Sequence, residues 1–406
     1  MRIPVLSIVF LFVISFLTDL YIASDVRSMF GKRSGKLYWA SAALCWIFLI
    51  VTISLPRREA DSGIMAVMWM LFIYLTIYAG KFIYLVWSVV GRFFRLIFNF
   101  KRKVYPFRWC GLFCALCLIA IMWVGAAYTR HHLMIAEEEI YSPKLPESFD
   151  GYKIVQLSDL HVGTWGEDTS FLKQLVDTVN SLNPDLIVFT GDIVNRQTDE
   201  LAPFIDVLSG LRAKDGVYSI LGNHDYGDYV NWPSPSDREV NNRRLADFEK
   251  KMGWRLLNNE SDYLRNGSDS VLLIGVENWG DPPFPVYGNL DKAVSASNLN
   301  DRQYKILLSH NPEHWNREIS KNTNIDLTLS GHTHAMQMML KLGNWVWSPA
   351  KYRYEQWGGH FIRENNNGEK TNLYVNTGTG AVGMPARLMS AYPEVTLLTL
   401  RRGDVK

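Results

Sequence analysis

Four long apolar runs occupy the first third of the chain: Ile3–Ala23, Leu37–Leu55, Ile64–Val90 and Phe107–Tyr128. Each is close to or beyond the roughly 20 residues a helix needs to cross a bilayer, so the pattern predicts four membrane spans. The third run is overlong and holds Lys81, which fits a tilted helix or a lysine reaching back to the interface. No paired intramembrane charge suggests an ion path, so Lys81 reads as an anchor. Tyr38, Trp39 and Trp109, near run ends, suit an aromatic belt. Further along, short β-type runs replace the long ones: Lys153–Leu157, Asp185–Phe189, Val217–Leu221, Tyr304–Leu308 and Asp326–Leu329. Ser170–Leu182 has helical periodicity, and the order strand, helix, strand predicts an α/β domain.

Charge sharpens this division. Residues 1–135 carry a net +11 and residues 136–406 a net −9, although the whole chain is only +2. We place the boundary there: 1–135 a transmembrane domain, 136–406 a second domain of soluble composition. The gaps 24–36 and 91–106 hold Arg27, Lys32, Arg33, Lys36, Arg92, Arg95, Lys101, Arg102 and Lys103. The gap 56–63 has only Arg57 and Arg58 against Glu59 and Asp61, and Arg2 alone precedes the first run. The positive-inside rule puts the first and third gaps in the cytoplasm and the second domain on the periplasmic or extracellular side. The first run also has the outline of a signal peptide, but three more spans follow. Cys45, Cys110, Cys114 and Cys117 all lie in the apolar part, which excludes a disulfide framework or cysteine zinc site from the second domain.

Each short run ends in metal-binding residue types. The turns after them read Asp159-Leu160-His161, Gly191-Asp192, Gly222-Asn223-His224-Asp225, Ser309-His310 and Gly331-His332-Thr333-His334. One such turn is weak evidence, because Asn and Gly make turns anyway. Five strand ends delivering this set, where α/β sheets bind ligands, point to a metal centre. Carboxylates and imidazoles suit Mn, Fe or Zn, and two cations about 3.5–4 Å apart clamp a phosphoryl group and activate water. Strand alternation is expected to place Asp159 with His161, and His332 with His334, on one face.

These five blocks, in this order, resemble the calcineurin-like metallophosphoesterases, over roughly residues 137–400 and within their bacterial membrane-associated branch. The resemblance implies a four-layer αββα sandwich, two mixed β-sheets flanked by helices. It implies that Asp159, His161 and His334 bind one metal, Asp192 bridges, and Asn223, His310 and His332 bind the other. It makes His224 the group that stabilises phosphoryl oxygens or protonates the leaving group, with Asp225 orienting it, and a metal-bridging hydroxide the nucleophile. Where that branch often has Gly-Gly-Gln after the last block, this chain has Ala335-Met336-Gln337, which bears on the substrate mouth.

The expected activity is therefore that of a metal-dependent phosphoric ester hydrolase in a bacterial cytoplasmic membrane. It would act on phosphomonoesters, phosphodiesters or pyrophosphates, with a lipid-linked substrate favoured by the tether. A nuclease or nucleotide phosphodiesterase is the competing enzyme reading, and the −9 balance opposes non-specific nucleic-acid binding. A non-catalytic membrane receptor retaining the fold is the third. Other residues stay outside the expected site. His314 reads as a surface residue, His131 and His132 as the exit of the last span, and His360 as structural or surface. Arg353 and Arg387 are each either phosphate contacts or surface residues. Met336–Trp347 reads as a buried strand or hairpin, or as a surface meeting bilayer or acyl chain. Asp228–Arg238 reads as a loop, and Asn376–Gly380 as a strand-end turn rather than a P-loop.

Overall fold

The structure, a computed structural model, describes residues 5–56, 58–59, 63–98, 105–282, 284–295 and 303–404. Arg2, Arg57, Asp61, Lys101, Arg102 and Lys103 of the charge pattern lie outside these residues. Two compact units form: residues 1–57, 61–127 and 383–386, and residues 58–60, 128–382 and 387–406.

Among the described residues, four helices of the first unit are long and apolar enough to cross a membrane. They are α1 (Val5–Phe30), α2 (Lys32–Ser54), α3 (Ile64–Ile97) and α4 (Tyr105–Ala127). The expected gap 24–36 is not a loop. α1 runs on past its apolar stretch to Phe30, and only Gly31, at φ 92°, separates it from α2. Glycine takes that left-handed conformation without a Cβ penalty, which is why the break falls there.

Lys81 is also not a solitary anchor. It donates to Asp19 at 2.8 Å, and Tyr38 and Tyr78 donate to the same carboxylate at 2.6 and 2.7 Å. A second fully buried carboxylate, Asp25, accepts from Tyr84 at 2.7 Å, Ser88 at 3.1 Å, Arg92 at 3.2 Å and Arg108. The physical reason is cost: a charge in hydrocarbon is expensive unless paired, so these helices satisfy two acids internally.

The second unit is built on fifteen described strands: β1 (Met134–Ser142), β2 (Lys153–Leu157), β3 (Leu186–Phe189), β4 (Val217–Ser219), β5 (Trp254–Leu256), β6 (Glu260–Asn266), β7 (Asp269–Gly275), β8 (Lys305–Leu308), β9 (Leu327–Ser330), β10 (Met338–Leu342), β11 (Trp345–Trp347), β12 (Gly359–Glu364), β13 (Lys370–Val375), β14 (Leu388–Met389) and β15 (Glu394–Arg402). One mixed sheet has the order β1-β15-β2-β3-β4-β5, another β12-β13-β9-β8-β7-β6, and β11-β10-β14 form a small third. Alternation along the strands sorts the core into layers. Ile154, Leu186 and Val188 meet Leu273, Ile306 and Leu327 between the two large sheets. Their neighbours Val155, Ile187 and Phe189 face the other way, against Leu172 and Leu175 of α5 (Ser170–Ser181) and Leu245 of α6 (Pro235–Lys251). Leu272, Ile274 and Leu307 cover Trp315 and Ile319 beyond the second sheet. Each such side chain contributes about 1.5–3 kcal/mol when fully buried. Helix, sheet, sheet, helix is the expected four-layer sandwich, and the large sheets put the ends of β2, β3 and β4 opposite those of β8 and β9.

Candidate metal centre

The five predicted turns leave these strand ends and converge. Asp159, His161 and His334 form one group, His161, Asp192 and His224 a second, and Asp192, His310 and His332 a third. Within each group the side-chain donor atoms lie within 4.8 Å of one another. Asp192 joins the last two: its Oδ2 lies 3.6 Å from His161 Nε2 and 3.2 Å from His310 Nε2. His334 Nε2 lies 3.1 Å from Asp159 Oδ1 and 3.1 Å from His161 Nε2. Asn223 donates from Nδ2 to the Tyr229 hydroxyl at 2.9 Å.

The backbone route differs from the expected alternation. Asp159 (φ 53°), His161 (43°), Asp192 (61°), His332 (74°) and His334 (51°) are all left-handed. They lie past the strand ends, in turns that re-aim consecutive side chains, so the pleat does not pair them. Such conformations cost about 1–3 kcal/mol each and persist only where the surroundings enforce them. Here Asp159 N donates to Gly191 O at 2.9 Å, His161 N to Asp192 O at 3.2 Å, and Gly380 N to Asp159 O at 2.8 Å. Gly331 is required by close approach: a Cβ there would lie 1.9 Å from Ser158 Oγ.

The donor set fits divalent cations. Asp159 Oδ1, Asn223 Oδ1 and His310 Nε2 are buried and make no hydrogen bond. Buried polar atoms seldom go unpartnered, and these three are all electron-pair donors. The outer ring nitrogens are held from behind: His310 Nδ1 by Thr190 O at 2.7 Å and His161 Nδ1 by Val194 O at 3.1 Å. That leaves each Nε2 as the ring nitrogen turned inward. Burial, then the neighbouring His310, pushes His332 down to about 3, so it is neutral and free to ligate. Burial would also lower His310, but the Asp192 carboxylate outweighs it and raises this imidazole to about 9. Burial disfavours charge on Asp192, yet His310 and His224 hold it well below the carboxylate range.

His224 is half-buried beside these groups. Its backbone N–H donates to Asp192 Oδ1 at 2.7 Å and its Nδ1 to Asn195 O at 2.6 Å. The expected orienting role of Asp225 is therefore corrected. Asp225 accepts from the amides of Asp192 (2.8 Å), Gly222 (2.9 Å), Ile193 (3.0 Å) and Val194 (3.2 Å). It clamps two loops together, and the Asn195 carbonyl holds His224, because one buried carboxylate facing four N–H groups is fully engaged.

Several residues outside the motifs also shape the site. The Tyr229 ring lies 4.5 Å from that of His224, and the Tyr354 hydroxyl 3.2 Å from His332 Nε2. Neither stands in a recognisable motif. Arg387 is neither a surface residue nor a phosphate contact. It is fully buried and donates to the carbonyls of Gly380 at 2.7 Å and of Thr377 and Gly378 at 2.8 Å. Arg353 pairs with Asp281 at 2.8 Å. His314 is buried, not on the surface: Ser309 holds its Nδ1 at 2.9 Å, and burial lowers it to about 4. His360 bonds Glu138 and Asn372. The expected loop 228–238 ends at Ser234, which caps α6 in a reciprocal capping box with Asp237. Met338–Trp347 is a hairpin, β10 and β11, with Leu342, Trp345 and Val346 exposed. Asn376–Gly380 is the turn leaving β13.

Comparison with known proteins gives the family. The family profile described as calcineurin-like phosphoesterase matches residues 152–336, and one described as a probable calcineurin-like phosphoesterase transmembrane domain matches residues 1–130. The uncharacterised metallophosphoesterase YkuE of Bacillus subtilis is 32% identical over 302 residues, 72% of this chain and 95% of the relative. A transmembrane protein with metallophosphoesterase domain from Danio rerio is 29% identical over 299 residues, 71% of this chain and 62% of the relative. The UDP-2,3-diacylglucosamine pyrophosphatase LpxG of Chlamydia muridarum is 28% identical over 260 residues, 54% of this chain and 75% of the relative.

Proposed function

This chain belongs to the calcineurin-like phosphoesterases as an integral membrane member, and from that premise we propose that it hydrolyses a lipid-linked phosphate ester or pyrophosphate with two divalent cations. The observation that carries the two-cation reading is the position of Asp192, shared between two donor groups. In this reading Asp159, His161 and His334 would hold one ion, Asn223, His310 and His332 the other, and Asp192 would serve both sites. When bound, the ions supply Lewis-acid polarisation of the phosphoryl group and a lowered water pKa.

The chain's own groups do the rest. The Asn195 carbonyl accepts from His224 Nδ1–H in either charge state, so the exchangeable proton sits on Nε2. The Asp192 carboxylate fixes the His224 backbone, holding that proton beside the reacting phosphoryl group for delivery to the leaving oxygen. Asp225 keeps the two loops in register, and Tyr229 and Tyr354 wall the mouth.

Three observations support a lipid-linked substrate. The catalytic chemistry is tethered to a bilayer, and the exposed Leu342, Trp345 and Val346 follow His334 closely in the chain. A relative is named for pyrophosphate cleavage of a diacylated sugar nucleotide. The test is hydrolysis by the metal-stripped, full-length chain of an aryl phosphomonoester, an aryl phosphodiester and a diacylated sugar nucleotide in mixed micelles, with Mn²⁺, Zn²⁺ or Mg²⁺ restored. Metal-dependent turnover, greatest on the acylated substrate and lost in Asp192→Ala, is expected. Activity equal with and without metal would sink the reading, and equal rates on all three esters would remove the lipid preference.

A further inference from the structure

A side-chain amide can serve a cation only through its oxygen, so its N–H₂ must be turned elsewhere and find an acceptor there. Asn223 meets both conditions. Its Oδ1 is buried and makes no hydrogen bond, while its Nδ2 donates to the Tyr229 hydroxyl at 2.9 Å. The acceptor lies six residues along the chain, outside the five metal-binding turns.

The local sequence holds Tyr229 in a braced turn. Gly227 is left-handed at φ 68°, and its carbonyl accepts from Val230 N at 3.2 Å and from Trp232 Nε1 at 2.7 Å. A Cβ on residue 227 would lie 3.1 Å from the Trp232 ring, so glycine lets the indole close the turn. Asp228 is paired with Arg238 and accepts from the Tyr287 hydroxyl at 3.0 Å, and Val230 is buried. Residues on both sides of Tyr229 are thus fixed, and its hydroxyl stays beside Asn223 without a cation to organise it.

We propose that Tyr229 is a positioning residue of the metal centre. Its hydroxyl takes up the Asn223 N–H and so keeps the amide oxygen available to the cation that Asn223, His310 and His332 would hold. The proposal rests on the two-cation reading of the site. Without the hydroxyl, the ligating orientation leaves the N–H with no protein partner and loses its advantage over other orientations. Groups that orient a metal ligand from behind are typically worth about 10–100-fold in affinity.

Titration of the metal-stripped, full-length chain in detergent with Mn²⁺, the free ion counted by electron paramagnetic resonance, tests it. The native chain should bind two Mn²⁺. Tyr229→Phe, which removes only the hydroxyl, should weaken one of the two sites about tenfold or more and leave the other unchanged. Asn223→Ala should weaken the same site. Adding Tyr229→Phe to Asn223→Ala should weaken it no further, because the hydroxyl acts only through the amide. Tyr352→Phe, at an exposed position, should bind as the native chain does. Circular dichroism and a monodisperse elution profile report folding, and Tyr229→Met decides if Tyr229→Phe does not fold. Native affinity at both sites in a folded Tyr229→Phe, equal loss at both sites, or a full further loss in the double variant overturns the proposal. Fewer than two Mn²⁺ on the native chain sinks the two-cation reading itself, and the proposal falls with it.

Discussion

At the scale of single residues, we propose that the site separates metal holding from proton transfer. His224 belongs to a donor group with Asp192, yet its Nδ1 is committed to the Asn195 carbonyl. His224→Asn should therefore leave bound metal near the native content while kcat falls about 10²–10⁴-fold, the usual worth of a positioned acid or base. Metal analysis beside steady-state kinetics checks both halves. Arg387 works on stability instead. Arg387→Met strips donors from the carbonyls of Thr377, Gly378 and Gly380, each costing about 1–3 kcal/mol when buried unpaired. Thermal unfolding in detergent should show a loss of about 3 kcal/mol or more, and Arg387→Lys should not restore it, since an ammonium lacks the planar fork. The converging Asp and His residues were readable because five turns repeat one chemistry at strand ends. Arg387 was not, because its partners are carbonyls, which carry no side-chain signature, and Tyr354 touches His332 across 22 residues without a motif.

At the scale of elements, α6 carries a pH-sensitive contact with β4. Glu249 is fully buried on α6 and accepts from Ser219 of β4. Burial raises its carboxyl from 4.5 to about 8. A raised folded-state value means that its contribution to stability is full below about 4.5 and is lost as pH rises to about 8. The native melting temperature should fall across that window more steeply than that of Glu249→Gln, and melts at a series of pH values measure the difference. The five strands that lead into the metal-binding turns were legible to within a residue or two, since buried runs such as Leu186–Phe189 have no polar interruption, whereas β1, β5, β6, β7 and β12 to β15 were not placed. Nor was the end of α1. Hydropathy stops at Ala23, while the helix continues to place Asp25 against Arg92 and Arg108, and that pairing is visible only once three helices are assembled.

For the whole molecule, the basic gaps after the first and third spans lead us to place the hydrolase on the outer face of the membrane. Lys370→Cys, at an exposed position, in a chain whose four native cysteines are replaced by serine, should react with a membrane-impermeant maleimide in intact cells. Labelling only after lysis would reverse the assignment. What charge counting reads is the excess of Lys and Arg in loops; it does not read acids such as Asp19 that the bundle neutralises internally.

The order of the first large sheet also sets a timetable for biosynthesis. β15 lies between β1 and β2, pairing with both, yet it is translated after every other described strand. Until Glu394–Arg402 emerges, β1 has no neighbour and β2 presents a bare edge, the kind of surface that recruits foreign strands. The four spans are made long before. A nascent chain therefore spends most of its synthesis tethered to the membrane with an unfinished sheet, and premature stop codons upstream of β15 should yield aggregation or degradation rather than a partly active enzyme.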